Sequence, residues 1–357
     1  MNILSLVRPD LQQFSGYLSA RKQNSGGDIW LNANESAYTQ EFDTQQLNRY
    51  PEPQPSLLKQ ALCAYYETAS ENLLITRGSD EGIDLLIRAL CIPGKDRIAI
   101  QSPTFGMYAV CARLHMCEVV DIPLEIQADC FEWNIELLIE QVLAQNCKIL
   151  FICSPANPTG QQLARAKIQR LLEALQDQCV VVIDEAYGEY SQQASALEHL
   201  QHFSNLVILR TLSKAHAMAG ARIGCVIANP VLLQVLKACQ APYPISKPSA
   251  ELAVLAFSES ALKRTQQQIV EVIAQRQWLI EKISVLANVL CVYKTDANFI
   301  LVKFKNSDAI YQTLLQNGIL IRNMSQYPAI QDCLRISVGT PDENLRLIQI
   351  LETSITP

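Results

Sequence analysis

The stretch Leu206-Val207-Ile208-Leu209-Arg210-Thr211-Leu212-Ser213-Lys214 decides how this chain is read. Its four leading residues are an uninterrupted apolar run, the pattern of a strand buried on both faces. The run gives way to a threonine, a serine and a lysine. An amine at a strand end, beside the Ser213 hydroxyl and eight residues before Arg222, can hold a cofactor aldehyde as a Schiff base, while Ser213 and Arg222 grip a phosphate on the same molecule. That chemistry is that of pyridoxal 5'-phosphate. A lysine near a strand end is, taken alone, an ordinary surface cation, so the reading rests on partners elsewhere in the chain.

Outward from this stretch, short apolar runs alternate with helical patterns from about residue 73 to 245. Strands are predicted at 73–76, 97–101, 118–122, 148–153, 180–183, 206–209 and 223–228. Helices are predicted at 56–68, 81–90, 105–114, 134–144 and 162–176. This alternation predicts an α/β fold with a mostly parallel, seven-stranded sheet sandwiched by helices. The short connection between the last two strands suits a partly antiparallel pair. Pro242, Pro244 and Pro248 then mark a junction. Beyond it come a long helical region (249–286), strands at 289–293, 298–302, 319–322 and 333–337, and helices at 308–316 and 342–353. The predicted organisation is an N-terminal arm (1–30), a large cofactor-binding domain (31–245) and a small α+β C-terminal domain (246–357) against which the arm packs.

Bulk composition narrows the function. Of 357 residues, 49 % are hydrophobic and 18 % charged, which excludes a disordered chain. A formal charge of −6 with no basic stripe argues against a nucleic-acid partner. The 12 cysteines are scattered without a close pair, as expected of small buried hydrophobes in a reducing compartment. The four histidines form no zinc pattern, so no metal is expected. With no signal-peptide pattern and no long apolar run, a cytoplasmic enzyme without membrane association is the expectation.

The partners of Lys214 sit after other predicted strands, where ligands bind in open α/β sheets. Asp184 closes the apolar run 180–183 and can pair with a protonated pyridine nitrogen; as a bland alternative it caps the next turn. Tyr187 and Asn157, the latter held in the proline-bounded turn 154–160, can both bond the cofactor's phenolic oxygen. Ser79 and Asp80 open a predicted helix whose free N–H groups suit a phosphate, unless they simply cap it. Tyr108 is a candidate to stack on the pyridine ring, or a core tyrosine. Arg322 and Arg335 interrupt apolar segments of the small domain and can clamp a substrate anion, or face solvent from an edge strand.

These segments resemble the fold-type I PLP-dependent aminotransferases, and within them the histidinol-phosphate group. The likeness spans nearly the whole chain. Its pieces are Asn32-Ala33-Asn34-Glu35, Arg49-Tyr50-Pro51, Arg77-Gly78-Ser79-Asp80, Pro103 to Tyr108, Ser154 to Gly160, Asp184-Glu185-Ala186-Tyr187, Thr211 to Lys214, Gly220 to Gly224 and Leu334 to Thr340. Phe105 stands where the family pattern has tyrosine, and Ala156 where it has asparagine or glycine. The resemblance implies a homodimer whose Tyr50 touches the cofactor phosphate of the other subunit. It also implies that Tyr17 and Asn34 close over the substrate, with Arg335 as the anion-binding arginine and Arg322 as a second such group. The implied reaction is amino transfer between L-histidinol phosphate and 2-oxoglutarate in histidine biosynthesis. Related PLP enzymes acting on aromatic amino acids or threonine phosphate share these motifs. A non-catalytic binding protein with an aminotransferase-like domain is the remoter alternative.

Overall fold

A computed structural model describes residues 3–19 and 29–353. Seven strands form the large sheet: β1 (Leu73–Thr76), β2 (Arg97–Ile100), β3 (Glu118–Asp121), β6 (Cys147–Cys153), β7 (Val180–Asp184), β8 (Leu206–Thr211) and β9 (Gly224–Ala228). A small hairpin, β4 (Glu125–Gln127) with β5 (Cys130–Glu132), intervenes. The sheet order is β1-β9-β8-β7-β6-β2-β3. Neighbours from β8 across to β3 are parallel, whereas β9 runs antiparallel to both β8 and β1. Every residue of β7, β8 and β9 is buried, as the apolar runs Val180–Ile183, Leu206–Leu209 and Cys225–Ala228 require of strands covered on both faces.

After helices Lys247–Leu255 and Glu259–Ser284, a second sheet follows. It comprises β10 (Val289–Val292), β11 (Phe299–Phe304), β12 (Arg322–Asn323) and β13 (Cys333–Ser337), all antiparallel, in the order β10-β11-β13-β12. Ile300, Val302, Leu334 and Ile336 pack with Leu279, Ile283 and Leu347 in a core separate from that of the large sheet. Among the described residues, no helix is long and apolar enough to cross a membrane.

Several expectations change. The single helical region 249–286 is two helices; Ser258 ends the break as an N-cap, accepting from the Ala261 N–H. The strand expected at 319–322 contracts to Arg322–Asn323, because Leu320 is exposed and only two residues find partners on β13. The described part of the arm packs on the large sheet's core rather than on the small domain: Ile3, Leu6 and Val7 are buried there, and the Arg8 N–H donates to Ala89 O at 3.0 Å. The β4–β5 hairpin was not anticipated, since three-residue strands are too short for a periodic signal.

Beneath the sheet edge lies a buried ion cluster. Arg210, on β8, pairs with Glu185, reaches Glu189 at 3.3 Å, and lies 5.2 Å from the Tyr66 ring centroid. The Ser195 hydroxyl and the Ala196 N–H also donate to Glu185, at 2.6 and 2.7 Å. Removing one member of such a cluster strands uncompensated charge out of water. Arg210→Ala is therefore expected to cost about 3–5 kcal/mol, read as a lower midpoint of thermal unfolding. A midpoint equal to the parent's would show the cluster to be energetically idle.

Candidate active site

Because β6, β7 and β8 are parallel neighbours, their carboxyl ends share one edge of the sheet. Asn157 follows β6, Asp184 ends β7 and Lys214 follows β8. All three line one cavity of about 510 Å³. Ser79, Ser213, Arg222 and Tyr187 contribute from the side of the large sheet, and Arg322 and Arg335 from the second sheet.

Asp184 is 2 % exposed. Its Oδ1 accepts from the Ala186 N–H at 3.1 Å and its Oδ2 from the Tyr108 hydroxyl at 2.8 Å. Burial pushes its carboxyl up to about 6, against the opposing pull of those two hydrogen bonds. The Lys214 amine lies 5.6 Å from the Tyr187 ring centroid. Burial first, and then the positive charge of Arg335, hold the amine below the usual lysine range. Both causes favour the neutral amine, the form that attacks an aldehyde or takes a proton. Asn157 is buried; its Nδ2 donates to the Tyr187 hydroxyl at 3.3 Å and its Oδ1 accepts from Arg335.

At the other end of the cavity, the helix Gly78–Leu90 begins without any side-chain cap, so its first N–H groups are not satisfied that way. The Ser79 or Asp80 cap considered from sequence is therefore not formed. Gly78 has φ +72°, and a Cβ there would meet Arg222 Nη2 at 2.7 Å. Arg222 itself adopts the left-handed conformation (φ 58°, ψ 49°), one of eight non-glycine residues with positive φ among the described residues. Its Nη1 donates to Ala219 O at 3.1 Å, and its Nη2 lies 3.4 Å from Asp80 Oδ2. Gly224 keeps this corner closed: a Cβ there would lie 2.5 Å from Gly78 C and 2.6 Å from Ser79 N. Gly224→Ala must push β9 and the helix start apart, a strain of about 1–3 kcal/mol. The expected result is roughly tenfold or weaker binding of a phosphorylated ligand, measured by absorbance titration with pyridoxal 5'-phosphate, and unchanged binding would contradict it.

On β12 and β13, Arg322 and Arg335 are direct cross-strand partners, so both side chains leave the same face of the sheet. Like charges opposite one another are unfavourable unless an anion lies between them. Burial and the neighbouring Arg322 charge hold Arg335 below the usual arginine range, and its guanidinium lies 5.3 Å from the Phe299 ring centroid.

One expectation is corrected. Tyr108 does not line the cavity. It is fully buried, its ring stacked on Phe151 at 4.8 Å, because its hydroxyl reaches down to Asp184 instead of out to a ligand. The aromatic ring that this stretch gives to the cavity wall is Phe105, two residues before the helix Met107–Leu114. Tyr17 and Asn34 are exposed and do not line the cavity of their own chain. Neither does Tyr50, which is half-exposed and stacked on Tyr243 at 4.5 Å. Met324, Gln326 and Tyr327 do line it and were missed, because their loop carries no periodic or charged signal. Tyr327 ties the segment before β13 to the one after β2: its hydroxyl donates to Thr104 O at 3.0 Å.

The site and the sheet order define one class of protein, and the chain's relatives belong to the same class. The family model for aminotransferase class I and II matches residues 24–351, and the chain belongs to that family. Within it, the chain is 48 % identical to the histidinol-phosphate aminotransferase of Xanthomonas euvesicatoria pv. vesicatoria, over 98 % of this chain and 97 % of that protein. The fold matches the crystal structure of the histidinol-phosphate aminotransferase from Clostridium acetobutylicum (TM-score 0.78, 23 % identity, 86 % of this chain and 90 % of the other). It also matches that of the Sinorhizobium meliloti enzyme in complex with pyridoxal-5'-phosphate (TM-score 0.78, 23 % identity, 86 % and 83 %).

Pyridoxal 5'-phosphate is the cofactor of this family, and the residues present fit it. The cavity offers an amine depressed toward its neutral form and a buried carboxylate. It also has an uncapped helix start with an arginine and two serines beside it.

Proposed function

We propose that the chain transfers an amino group between L-histidinol phosphate and 2-oxoglutarate. The products are imidazole acetol phosphate and L-glutamate, and the step is a cytoplasmic one in histidine biosynthesis. The near-full-length 48 % identity to a histidinol-phosphate aminotransferase supports this reading. The observation that carries it on the structural side is the cross-strand pair Arg322 and Arg335 on the cavity wall. Two facing guanidinium groups suit a phosphate monoester in one half-reaction and a dicarboxylate in the other.

When bound, pyridoxal 5'-phosphate supplies an electron sink for the pair of electrons left on the substrate's Cα. Lys214 would anchor it and, once displaced by the incoming amine, take the Cα proton and return a proton at C4′. Asp184 would hold a proton on the ring nitrogen. Asn157 and Tyr187 would bond the phenolic oxygen, with Asn157 also orienting Arg335. Ser79, Ser213, Arg222 and the helix start would hold the phosphate, with Asp80 orienting Arg222. We assign the working form to a homodimer in which Tyr50 reaches the partner's cofactor phosphate while Tyr17 and Asn34 close over substrate. The half-exposed Tyr50 and the exposed Ile29, Leu31, Tyr38 and Phe42 on the same segment support an interface there. The domain division at about residue 245 is supported by a second core cluster built wholly from later residues, Leu279 to Leu351, while Leu301 and Cys333 join the core of the large sheet.

The decisive experiment compares turnover on L-histidinol phosphate, phenylalanine and threonine phosphate, each with 2-oxoglutarate. The proposal expects kcat/KM highest for histidinol phosphate by at least about tenfold, the value of one well-made charged contact. A preference for phenylalanine, or release of carbon dioxide from threonine phosphate, would overturn it.

A further inference from the structure

Tyr108 is the largest fully buried side chain next to the site, and the mechanism above gives it no task. Its ring is clamped between Phe151 (centroids 4.8 Å apart, 10° between planes) and Phe105 (5.7 Å, 87°). Its hydroxyl points at Asp184 Oδ2, 2.8 Å away. The other carboxylate oxygen already accepts from the Ala186 N–H. A buried carboxylate with a single hydrogen bond would tend to protonate, and a protonated Asp184 cannot keep a proton on a pyridine nitrogen. We propose, building on the function above, that Tyr108 is a positioning residue. By donating to Oδ2 from a ring locked in the core, it fixes the Asp184 carboxylate in one orientation and keeps it an anion toward the ring-binding cavity.

The arrangement also ties two parts of the site together. Phe105 lines the cavity and packs edge-on against the Tyr108 ring, so a shift of that ring is felt at both the Phe105 wall and Asp184. The hydroxyl is well suited to the task. Burial drives it far above the usual phenol range, so it remains a donor across the working pH range. The other titratable groups around Asp184 are Cys153, Tyr187, Lys214, Asp80 and Glu185. None of them donates a hydrogen bond to its carboxylate among the described residues.

The test is Tyr108→Phe, which deletes one oxygen and keeps the packed ring, studied beside Asp184→Asn and the double variant in the full chain. In cofactor-free protein, the Asp184 carboxyl is followed by difference infrared titration, with Asp184→Asn identifying its band. Tyr108→Phe is expected to move that titration up by about one pH unit, the loss of one charge-assisted hydrogen bond. Pyridoxal 5'-phosphate should bind about tenfold more weakly, and kcat should fall about tenfold with little change in KM for the amino donor. On the Asp184→Asn background, Tyr108→Phe should add almost nothing, as two groups acting through one contact require. An Asp184 titration unmoved by Tyr108→Phe, or full additivity of the two substitutions, would overturn the proposal. The infrared titration needs no cofactor. If the parent protein failed to bind pyridoxal 5'-phosphate, the functional reading would fall while the role of Tyr108 toward Asp184 was still decided.

Discussion

Lys214→Ala should lower turnover by at least about 10⁴-fold and abolish the absorbance band of lysine-bound cofactor. The size of the effect follows from the lysine being asked to act twice, once as the anchoring amine and once as the base at Cα. Alanine removes both roles and leaves the phosphate grip of Ser79, Ser213 and Arg222 intact. Binding of pyridoxal 5'-phosphate should therefore weaken but persist, which separates this outcome from a variant that has simply unfolded. Lys214→Arg should be almost as damaging, since a guanidinium stays protonated and cannot act as a nucleophile or base near neutral pH. A Lys214→Ala protein retaining more than about a tenth of the parent's kcat would reject the assignment of this residue.

Asp184→Ala should cost about 10³-fold in kcat, the scale seen when a preorganised electrostatic partner is removed from a buried site. The carboxyl is raised by burial to about 6 in the cofactor-free protein, which fixes a pH dependence. Its folded pKa lies above the ordinary 3.8, so below about pH 6 the folded protein holds this proton more tightly than the unfolded chain does. The stability contributed by that proton is full below pH 3.8 and is lost as pH rises through about 6. Cofactor pairing has the opposite requirement, an ionised carboxylate. Affinity for pyridoxal 5'-phosphate should therefore weaken as pH falls below about 6, and in Asp184→Asn this dependence should disappear. A variant that keeps the parent's profile would assign the titration to another group.

Much of this architecture is legible in the chain itself, because buried parallel strands are written as unbroken apolar runs. The runs at Val180–Asp184 and Leu206–Thr211 locate two adjacent strands, and the polar residues that terminate them, Asp184 and Lys214, mark the edge where ligands gather. Asn157 is legible for a related reason: prolines on both sides fix its turn. Legibility fails where position depends on contacts between distant segments. Tyr108 and Phe105 are both aromatic residues of one short stretch, and only the packing of Phe151 and the reach to Asp184 decide which ring faces the cavity. Tyr327 acquires its place from a hydrogen bond to Thr104, more than two hundred residues away, which no local pattern announces. The cross-strand meeting of Arg322 and Arg335 is likewise a matter of register, and β12 is too short for its sequence to declare one.

The most direct test of the central claim is chemical. Protein saturated with pyridoxal 5'-phosphate is reduced with borohydride, digested, and its peptides mapped by mass spectrometry. The account predicts one stoichiometric phosphopyridoxyl group, carried by Lys214, and its loss when L-histidinol phosphate is added before the reductant. Stoichiometric label on a different lysine, or none on Lys214 at saturation, would contradict it.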